Sequence, residues 1–122
     1  YDAAMRRFGR IDVLVNNAGI AQASPVHETS VTSWDRHLAV HLRSTFLMTR
    51  LVLPQMYARD AGRIVNTASQ LAYKGAPGFA HYTAAKGAIL SFTRSLALEI
   101  GARGVNANCV APGATRTPMT AG

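Results

Sequence analysis

The stretch from Arg63 to Lys86 constrains the fold of this chain more than any other. Its first part, Arg63–Ser69, is a short run with β-branched residues that ends at a hydroxyl, which is typical of a buried strand. A loop with two glycines and a proline then breaks the chain. From Tyr82 onward, the apolar spacing and the many alanines predict a helix. The stretch therefore predicts a strand, a loop and a helix that begins close to Tyr82.

Tyr82 and Lys86 are four residues apart on the predicted helix, so their side chains share one face. A cation held beside a phenol favours the phenolate, which makes the tyrosine a usable proton donor or acceptor near neutral pH. Ser69 would face the pair across the loop, where its hydroxyl could bind a carbonyl or alcohol oxygen. The three side chains suit the interconversion of a carbonyl and an alcohol. The tyrosine–lysine pair alone is more simply explained as a surface lysine beside a half-buried tyrosine.

Two further motifs flank this stretch in a fixed order. Asn16–Gly19 reads N-N-A-G after an apolar run, Ser69 precedes Tyr82 by thirteen residues, and Pro112–Thr117 reads P-G-A-T-R-T. In this order and spacing the sequence resembles the classical branch of the short-chain dehydrogenase/reductase family, over essentially all 122 residues. The segments V-A-P-G and S-F-T-R-S-L-A-L-E are similar to those of 3-oxoacyl carrier-protein reductases and of many sugar or alcohol dehydrogenases, which does not fix a substrate.

This resemblance implies an oxidoreductase that uses NAD or NADP to interconvert an alcohol and a ketone. Tyr82 would be the general acid/base, Lys86 would favour its phenolate and hold the nicotinamide ribose, and Ser69 would bind the substrate oxygen. No metal site is implied. The implied cofactor-binding residues, besides Tyr82 and Lys86, are Asn16, Ala18 and Gly19 on the adenosine side and Pro112, Gly113 and Thr117 near the nicotinamide.

The alternation of helix and strand predicts a parallel α/β sheet without help from the resemblance. The continuous apolar run Ile11–Val15 is typical of a strand that is buried on both faces of a parallel sheet. Ligands of such sheets bind beyond the carboxyl ends of the strands. The predicted fold class is a partial Rossmann-like doubly wound parallel sheet, with three strands and flanking helices of the family's seven-stranded fold. The predicted strands are Ile11–Val15, Arg63–Ser69 and Val105–Val110. One candidate ligand-binding residue lies at the carboxyl end of each strand: Asn16, Ser69 and Pro112, in that order.

The family's glycine-rich turn, T-G-x-x-x-G-x-G, cradles the cofactor pyrophosphate and does not occur in these 122 residues. The family's next two strands, which include the acidic or basic residue that selects between NAD and NADP, are also absent from these residues. So is the last strand of the fold. Residues 1–122 are therefore expected to form a single incomplete NAD(P)-binding Rossmann-type domain, an internal piece of a longer enzyme that alone would bind cofactor weakly and turn over little. The alternative is a non-catalytic fragment or interaction module of a longer dehydrogenase, and the gene sequence upstream would discriminate between the two.

The histidines raise a separate question. The family usually has asparagine at the position of His41, and that asparagine helps to hold a water linked to the catalytic lysine. An imidazole could bind the water and could carry a proton near neutral pH, could be a neutral replacement, or could spoil the relay. His37 and His41 have a spacing able to bind zinc, but a third ligand is lacking. His27, His37 and His81 are expected to be polar surface residues.

Two long helices are predicted, Ser30–Met56, with a bend at Pro54, and Tyr82–Ala102. Both carry more apolar residues than one sheet face requires, so a homodimer or homotetramer that associates through them is expected. The residues concerned are Leu38, Leu42, Phe46 and Leu47 on the first helix and Ile89, Phe92, Leu96 and Ile100 on the second.

Composition narrows the classes of partner. The net charge is +7, but the arginines are scattered without a basic run or a nucleic-acid motif, so no nucleic-acid partner is expected. No apolar run approaches the roughly 18 residues of a membrane span, and no membrane partner is expected. The single cysteine, Cys109, excludes an internal disulfide and fits a reducing compartment, so a cytoplasmic location is expected. The expected partner is a small alcohol or carbonyl substrate.

Overall fold

A three-stranded parallel sheet forms the centre of the molecule, as the computed structural model describes it for residues 1–113. Strands β1 (Val13–Asn16), β2 (Gly62–Thr67) and β3 (Val105–Val110) lie side by side in chain order. The partial Rossmann-like parallel sheet predicted from the sequence is confirmed. The boundaries of β1 and β2 differ from the predicted ones by one or two residues, and those of β3 are as predicted.

Helices make the crossovers between the strands. The first crossover runs through α2 (Val31–Leu38), a π-helical segment (Ala39–Arg43) and α3 (Ser44–Arg59), and the second runs through α4 (Leu71–Lys74) and α5 (Ala80–Ile100). Helix α1 (Asp2–Phe8) precedes β1, and 3-10 turns occupy Val26–Glu28 and Gly101–Arg103. None of the helices in residues 1–113 combines the length and the apolar character that a membrane span requires.

The core lies between one face of the sheet and helices α3 and α5. Leu14, Ile64 and Val105 are at most 9% exposed on that face, and the helices contribute Val52, Met56, Leu96 and Ile100. Because both helices lie on the same face, the alternate strand residues are left exposed within the described part of the chain, Val13, Val15 and Val110 by 48 to 58%. The expectation that the first strand, Ile11–Val15, is buried on both faces is therefore wrong within residues 1–113.

The start of β1 is fixed by side chains at the end of α3. The amide of Gln55 donates to the Ile11 carbonyl at 2.8 Å and its oxygen accepts from the Ile11 N–H at 3.3 Å. Arg59 donates to the same carbonyl at 2.8 Å and to the Asp12 carboxylate at 2.9 Å. These bonds set the position of β1 along the sheet, and hence the place where its carboxyl end opens into the following loop.

The first long helix was predicted to bend at Pro54, but its departure from α-helical geometry lies at Ala39–Arg43. Helix α3 contains Pro54 without ending there, whereas the π-helical segment has His41 at its centre. Single π-helical turns inside longer helices are found disproportionately at functional sites. The irregular turn therefore marks His41 as a residue whose position matters.

Candidate active site

The carboxyl ends of the three parallel strands meet at one edge of the sheet, and the backbone bonds continue past them. The Ala68 N–H donates to the Val110 carbonyl at 2.7 Å, and the Gln70 N–H donates to the Pro112 carbonyl at 3.1 Å. Ser69 lies between these two bonds, two residues after the end of β2. The segment after β3 is therefore held against the segment that carries Ser69.

Lys86 anchors the first half of α5 to this edge. Its Nζ donates to the Thr67 carbonyl at 2.9 Å, at the last residue of β2, and lies 5.8 Å from the centroid of the Tyr82 ring. The side chain is buried, and burial lowers the pKa of Lys86 below its ordinary value. The structure thus brings Tyr82 and Lys86 together, as the sequence spacing predicts, at the end of the strand that leads to Ser69.

The Ser69 side chain is buried and held in one orientation. Its Oγ accepts a hydrogen bond from the Leu71 N–H at 3.1 Å at the start of α4. A hydroxyl that accepts in this way still has a proton to donate. Ser69 can therefore donate to an oxygen atom of a ligand that enters from the strand edge.

Asn16 is held inside the fold by a chain of side-chain hydrogen bonds. Its Nδ2 donates to Asn66 Oδ1 at 2.8 Å, Asn66 Nδ2 donates to Thr93 Oγ1 at 3.0 Å, and Thr93 Oγ1 donates to the Ile89 carbonyl at 2.7 Å. The chain connects β1 through β2 to α5, with both Asn66 and Thr93 buried. The Asn16 side chain therefore fixes the strand end from which the loop with Ala18 and Gly19 departs.

His41 holds that loop from the opposite side. Its Nε2 lies 2.6 Å from the Ile20 carbonyl oxygen, and since only a protonated nitrogen can donate to it, Nε2 carries the hydrogen and the 3.2 Å approach of the Ile20 N–H is not a second bond. A Cβ on Gly19 would lie 2.7 Å from His41 Cε1, so the imidazole requires glycine there. The same ring meets Tyr82 edge-on, with centroids 5.3 Å apart.

Burial lowers the pKa of His41 to about 4, against the hydrogen bond with Ile20, and the neighbouring Lys86 and His37 lower it further. His41 is 1% exposed and is neutral at pH 7. Its one N–H is committed to a main-chain carbonyl, which cannot pass a proton on. Of the three alternatives that the sequence leaves open, the geometry agrees with a neutral replacement and disagrees with a proton carrier near neutral pH.

The sequence-based expectation of surface histidines is wrong at two of three positions. His27 is exposed, but His37 and His81 are each 1% exposed, with ring centroids 4.0 Å apart. They are buried because α2 and α5 pack against each other there, a tertiary contact that residue type does not reveal. Two features of the sequence could have indicated that these histidines belong to the site: the spacing of His37 and His41, and the position of His81 immediately before Tyr82. Within residues 1–113, no three side chains of the usual metal-binding types are grouped to hold a metal ion.

The remaining predicted cofactor residues lie at the ends of β1 and β3. Ala18 is exposed in the loop after β1, and Pro112 and Gly113 are exposed after β3. A Cβ on Gly113 would lie 3.4 Å from the Gln70 side-chain amide, so the backbone there passes close to the end of β2. Thr117 lies outside the described residues.

Known proteins resemble this chain over its whole length. The family model described as short chain dehydrogenase matches residues 1–122. The 2-(R)-hydroxypropyl-CoM dehydrogenase of Xanthobacter autotrophicus is 46% identical over 121 residues, 97% of this chain and 48% of that protein. The 3-oxoacyl-[acyl-carrier-protein] reductase of Thermotoga maritima is 38% identical over 119 residues, 98% of this chain and 48% of that protein.

Solved structures agree with these sequence matches. The crystal structure of a short-chain dehydrogenase from Streptomyces avermitilis aligns with a TM-score of 0.91 and 35% identity, covering 98% of this chain and 44% of that one. The chain spans about half the length of the curated relatives it matches.

Proposed function

Because the chain belongs to the short-chain dehydrogenase/reductase family, we propose that the protein is an NAD- or NADP-dependent oxidoreductase that interconverts an alcohol and a ketone. The family resemblance stated from the sequence motifs, including the likeness to 3-oxoacyl carrier-protein reductases, is confirmed by the matches. Since these residues correspond to about half of each relative, the activity is proposed for the whole protein.

The pairing of Tyr82 with a buried lysine carries the proposal. Lys86 is 4% exposed, and its ammonium lies 5.8 Å from the centroid of the phenol ring. A cation in a site of low polarity stabilises a neighbouring phenolate more than the same cation in water would. Tyr82 can therefore release its proton to a ketone oxygen during reduction and take the proton of an alcohol during oxidation.

Ser69 and Lys86 complete the proton chemistry. The Ser69 hydroxyl donates to the substrate oxygen, which positions that oxygen and stabilises negative charge as it develops. Lys86 places a positive charge beside Tyr82, and its bond to the Thr67 carbonyl keeps the ammonium in place. The nicotinamide cofactor, when bound, would supply or accept the hydride.

The residues at the strand edge suit a dinucleotide cofactor. The Lys86 ammonium has three N–H groups, and its bond to the Thr67 carbonyl leaves two that can donate to ribose hydroxyls. Ligands of parallel α/β sheets bind at this edge, where the segments after β1 and β3 are exposed to solvent. In the proposal the cofactor is held by Tyr82 and Lys86, by Asn16, Ala18 and Gly19 on the adenosine side, and by Pro112, Gly113 and Thr117 near the nicotinamide.

The test is the Tyr82→Phe variant of the full-length protein, assayed with both cofactors against a panel of secondary alcohols and ketones. Loss of general acid/base catalysis predicts a fall in kcat of about 100-fold or more. Tyr73→Phe is the matched control, because Tyr73 is 67% exposed on α4, and it should keep wild-type kcat. Unchanged turnover in Tyr82→Phe, with the fold intact by circular dichroism, would contradict the proposal.

A homodimer or homotetramer is part of the proposal, with α3 as the main contact. Phe46, Leu47 and Leu51 on this helix are 38 to 46% exposed, beside a shallow apolar cavity of about 480 Å³ that includes Leu42 and Phe92. The part assigned from sequence to the second helix is corrected. Three of its four residues lie in the core against the sheet and are not available for contact: Ile89, Leu96 and Ile100.

Light scattering of the full-length protein tests the assembly. Phe46→Lys places a charge in the proposed contact and should lower the measured mass, whereas Leu98→Lys should not, since Leu98 is 87% exposed on α5 away from the cavity. A wild-type protein that is a monomer at micromolar concentration would reject the assembly without affecting the proposed chemistry.

A cytoplasmic location is proposed on the cysteine content. Cys109 is a free thiol, partly buried, and burial raises its pKa. A thiol held in its protonated form is a poor nucleophile and a poor redox group, so Cys109 fits a packing role in a reducing compartment. Export of the full-length protein in a fractionation experiment would contradict this location.

A further inference from the structure

The first turn of α5 carries the proposed acid/base but has no side-chain cap of its own. The helix begins at Ala80 after Phe79, whose side chain makes no capping bond, and its first hydrogen-bonded amide is that of Thr83, which donates to the Phe79 carbonyl at 2.7 Å. Tyr82 lies before that amide. An uncapped first turn frays readily, so another contact has to hold Tyr82 in place.

His81 makes such a contact to a distant part of the chain. Its Nε2 donates to the Gln22 carbonyl at 2.8 Å, which joins α5 to the loop after β1. The backbone adds one further link nearby, from the Ser24 N–H to the Gly78 carbonyl at 2.8 Å. The residue immediately before Tyr82 is thus tied to the same loop that His41 holds at Ile20.

The ring of His37 packs directly against the ring of His81. Its Nδ1 donates to the Ser33 carbonyl at 2.8 Å within α2, and its ring lies 4.0 Å from that of His81. The other nitrogens, His37 Nε2 and His81 Nδ1, have no hydrogen-bond partner among the described residues. An apolar side chain would pack there without the cost of a buried unpaired acceptor, so hydrophobic stability alone does not account for two imidazoles.

Resting on the function proposed above, we infer that His81 and His37 are positioning residues for Tyr82. The bond from His81 to Gln22 fixes the first turn of α5 against the loop, and the His37 ring prevents the imidazole from swinging away. Lys86 is held separately by the Thr67 carbonyl, one helical turn further along. Loosening the first turn should therefore displace Tyr82 while leaving the lysine, and the cofactor contacts assigned to it, in place.

The test compares two replacements of His81 in the full-length protein. His81→Leu removes the donor and keeps an apolar side chain of comparable size, and we expect kcat to fall by between about 10- and 100-fold, the effect of misplacing a reacting group by about 1 Å. Cofactor affinity, measured by calorimetry, should fall by a smaller factor than kcat, because Lys86 keeps its own bond to Thr67 when Tyr82 is displaced. His81→Gln places an amide N–H close to the position of Nε2 and should recover most of the lost kcat. His27→Leu, at an exposed histidine, is the control and should match wild type.

Amide hydrogen exchange gives a readout that does not depend on turnover. The Thr83 amide should exchange faster in His81→Leu than in wild type, while the amides near Ile100 should be unchanged. His37→Leu should show the same pattern with a smaller change. Wild-type kcat and wild-type Thr83 protection in His81→Leu would overturn the inference. So would a loss of protection along all of α5 together with a loss of cofactor affinity, because that result indicates a general structural role.

The two proposals fail in different ways. If the wild-type protein reduces no ketone and oxidises no alcohol with either cofactor, the proposed function fails. Exchange at Thr83 then still reports whether His81 holds the first turn. If the wild-type protein is active and His81→Leu is equally active, the proposed function stands and the positioning role is rejected.

Discussion

The two ends of helix α5 are held by different kinds of interaction. Its second half packs Leu96 and Ile100 into the apolar core under the sheet, where both are at most 6% exposed. Its first turn has no capping side chain and is joined to the rest of the molecule by directional contacts such as the bond from His81 to Gln22. Apolar packing is strong but tolerant of small shifts, whereas a hydrogen bond fixes distance and angle. The second half of α5 thus supplies most of its stability, and the contacts of its first turn determine where Tyr82 lies.

The difference matters because core packing and site geometry respond to different changes. Burial of an apolar side chain contributes about 1.5 to 3 kcal/mol, roughly in proportion to the apolar area removed from water. The polar contacts around Tyr82 contribute less stability each. They decide, however, where the phenol lies relative to Lys86 and Ser69. Substitutions in the second half of α5 should therefore lower stability, and substitutions around the first turn should lower activity or make stability depend on pH.

The largest expected effect is in the buried half. Ile100→Ala removes a side chain that is 0% exposed in the core, and the free energy of unfolding should fall by about 3 kcal/mol. Leu98→Ala is the control on the same turn of α5, since Leu98 is 87% exposed, and it should change stability by less than about 0.5 kcal/mol. Urea unfolding of the full-length protein measures both. Equal losses in the two variants would mean that the core assigned to this end of α5 is misplaced.

A smaller effect is expected near the first turn, from the titration of His41. Its pKa is about 4 in the folded protein and 6.5 when unperturbed, so between these values the unfolded chain binds more protons than the folded one. The stabilisation is complete above pH 6.5 and is lost as pH falls towards 4. Between pH 7.5 and 5 the loss should be about 2 kcal/mol, from about 1.4 kcal/mol per pKa unit.

The His41→Asn variant tests whether this pH dependence comes from the surroundings of the first turn of α5 and not from its buried second half. His41→Asn cannot titrate, and its unfolding free energy should depend less on pH between 7.5 and 5 by that same amount. Ile100→Ala should keep the wild-type dependence, because it leaves His41 in place. If wild type and His41→Asn lose the same stability on acidification, the imidazole is not held neutral in the folded state, and the assignment of His41 as a neutral donor to the Ile20 carbonyl would be wrong.

Sequence reasoning reached the parts of the site that depend on local pattern. Tyr82 and Lys86 lie four apart on a helix, so helix periodicity was enough to predict that their side chains meet. Ser69 follows a β-branched run, so the pattern was enough to predict its place just beyond the carboxyl end of a strand. The π-helical segment at Ala39–Arg43 was missed, because its sequence, A-V-H-L-R, contains no glycine, proline or other residue type that distinguishes it from an α-helical turn.

Burial of the histidines depended on contacts that no local pattern encodes. His37 and His81 are 44 residues apart and meet only because α2 packs on α5, so residue type favoured the surface for each. The bond from His81 to a backbone carbonyl leaves no mark on the sequence either, since any residue can present that carbonyl. The same limit applies to Lys86, whose partner is the main chain of Thr67.

The smallest expected effect compares the starts of two helices. Ser30 begins α2 with extended backbone, φ −70° and ψ 152°, and its side chain accepts from the Ser33 N–H at 3.0 Å. Ser30→Ala should therefore cost about 1 kcal/mol of unfolding free energy.

Phe79 begins α5 with φ −122° and ψ 25°, which is not the extended geometry that a capping side chain uses. Phe79→Ser should accordingly gain nothing from capping and should lose the contact with the Tyr82 ring, whose centroid is 6.1 Å away. A measured gain in stability for Phe79→Ser, determined by urea unfolding beside Ser30→Ala, would show that the first turn of α5 accepts an ordinary cap and that its dependence on His81 is weaker than the geometry implies.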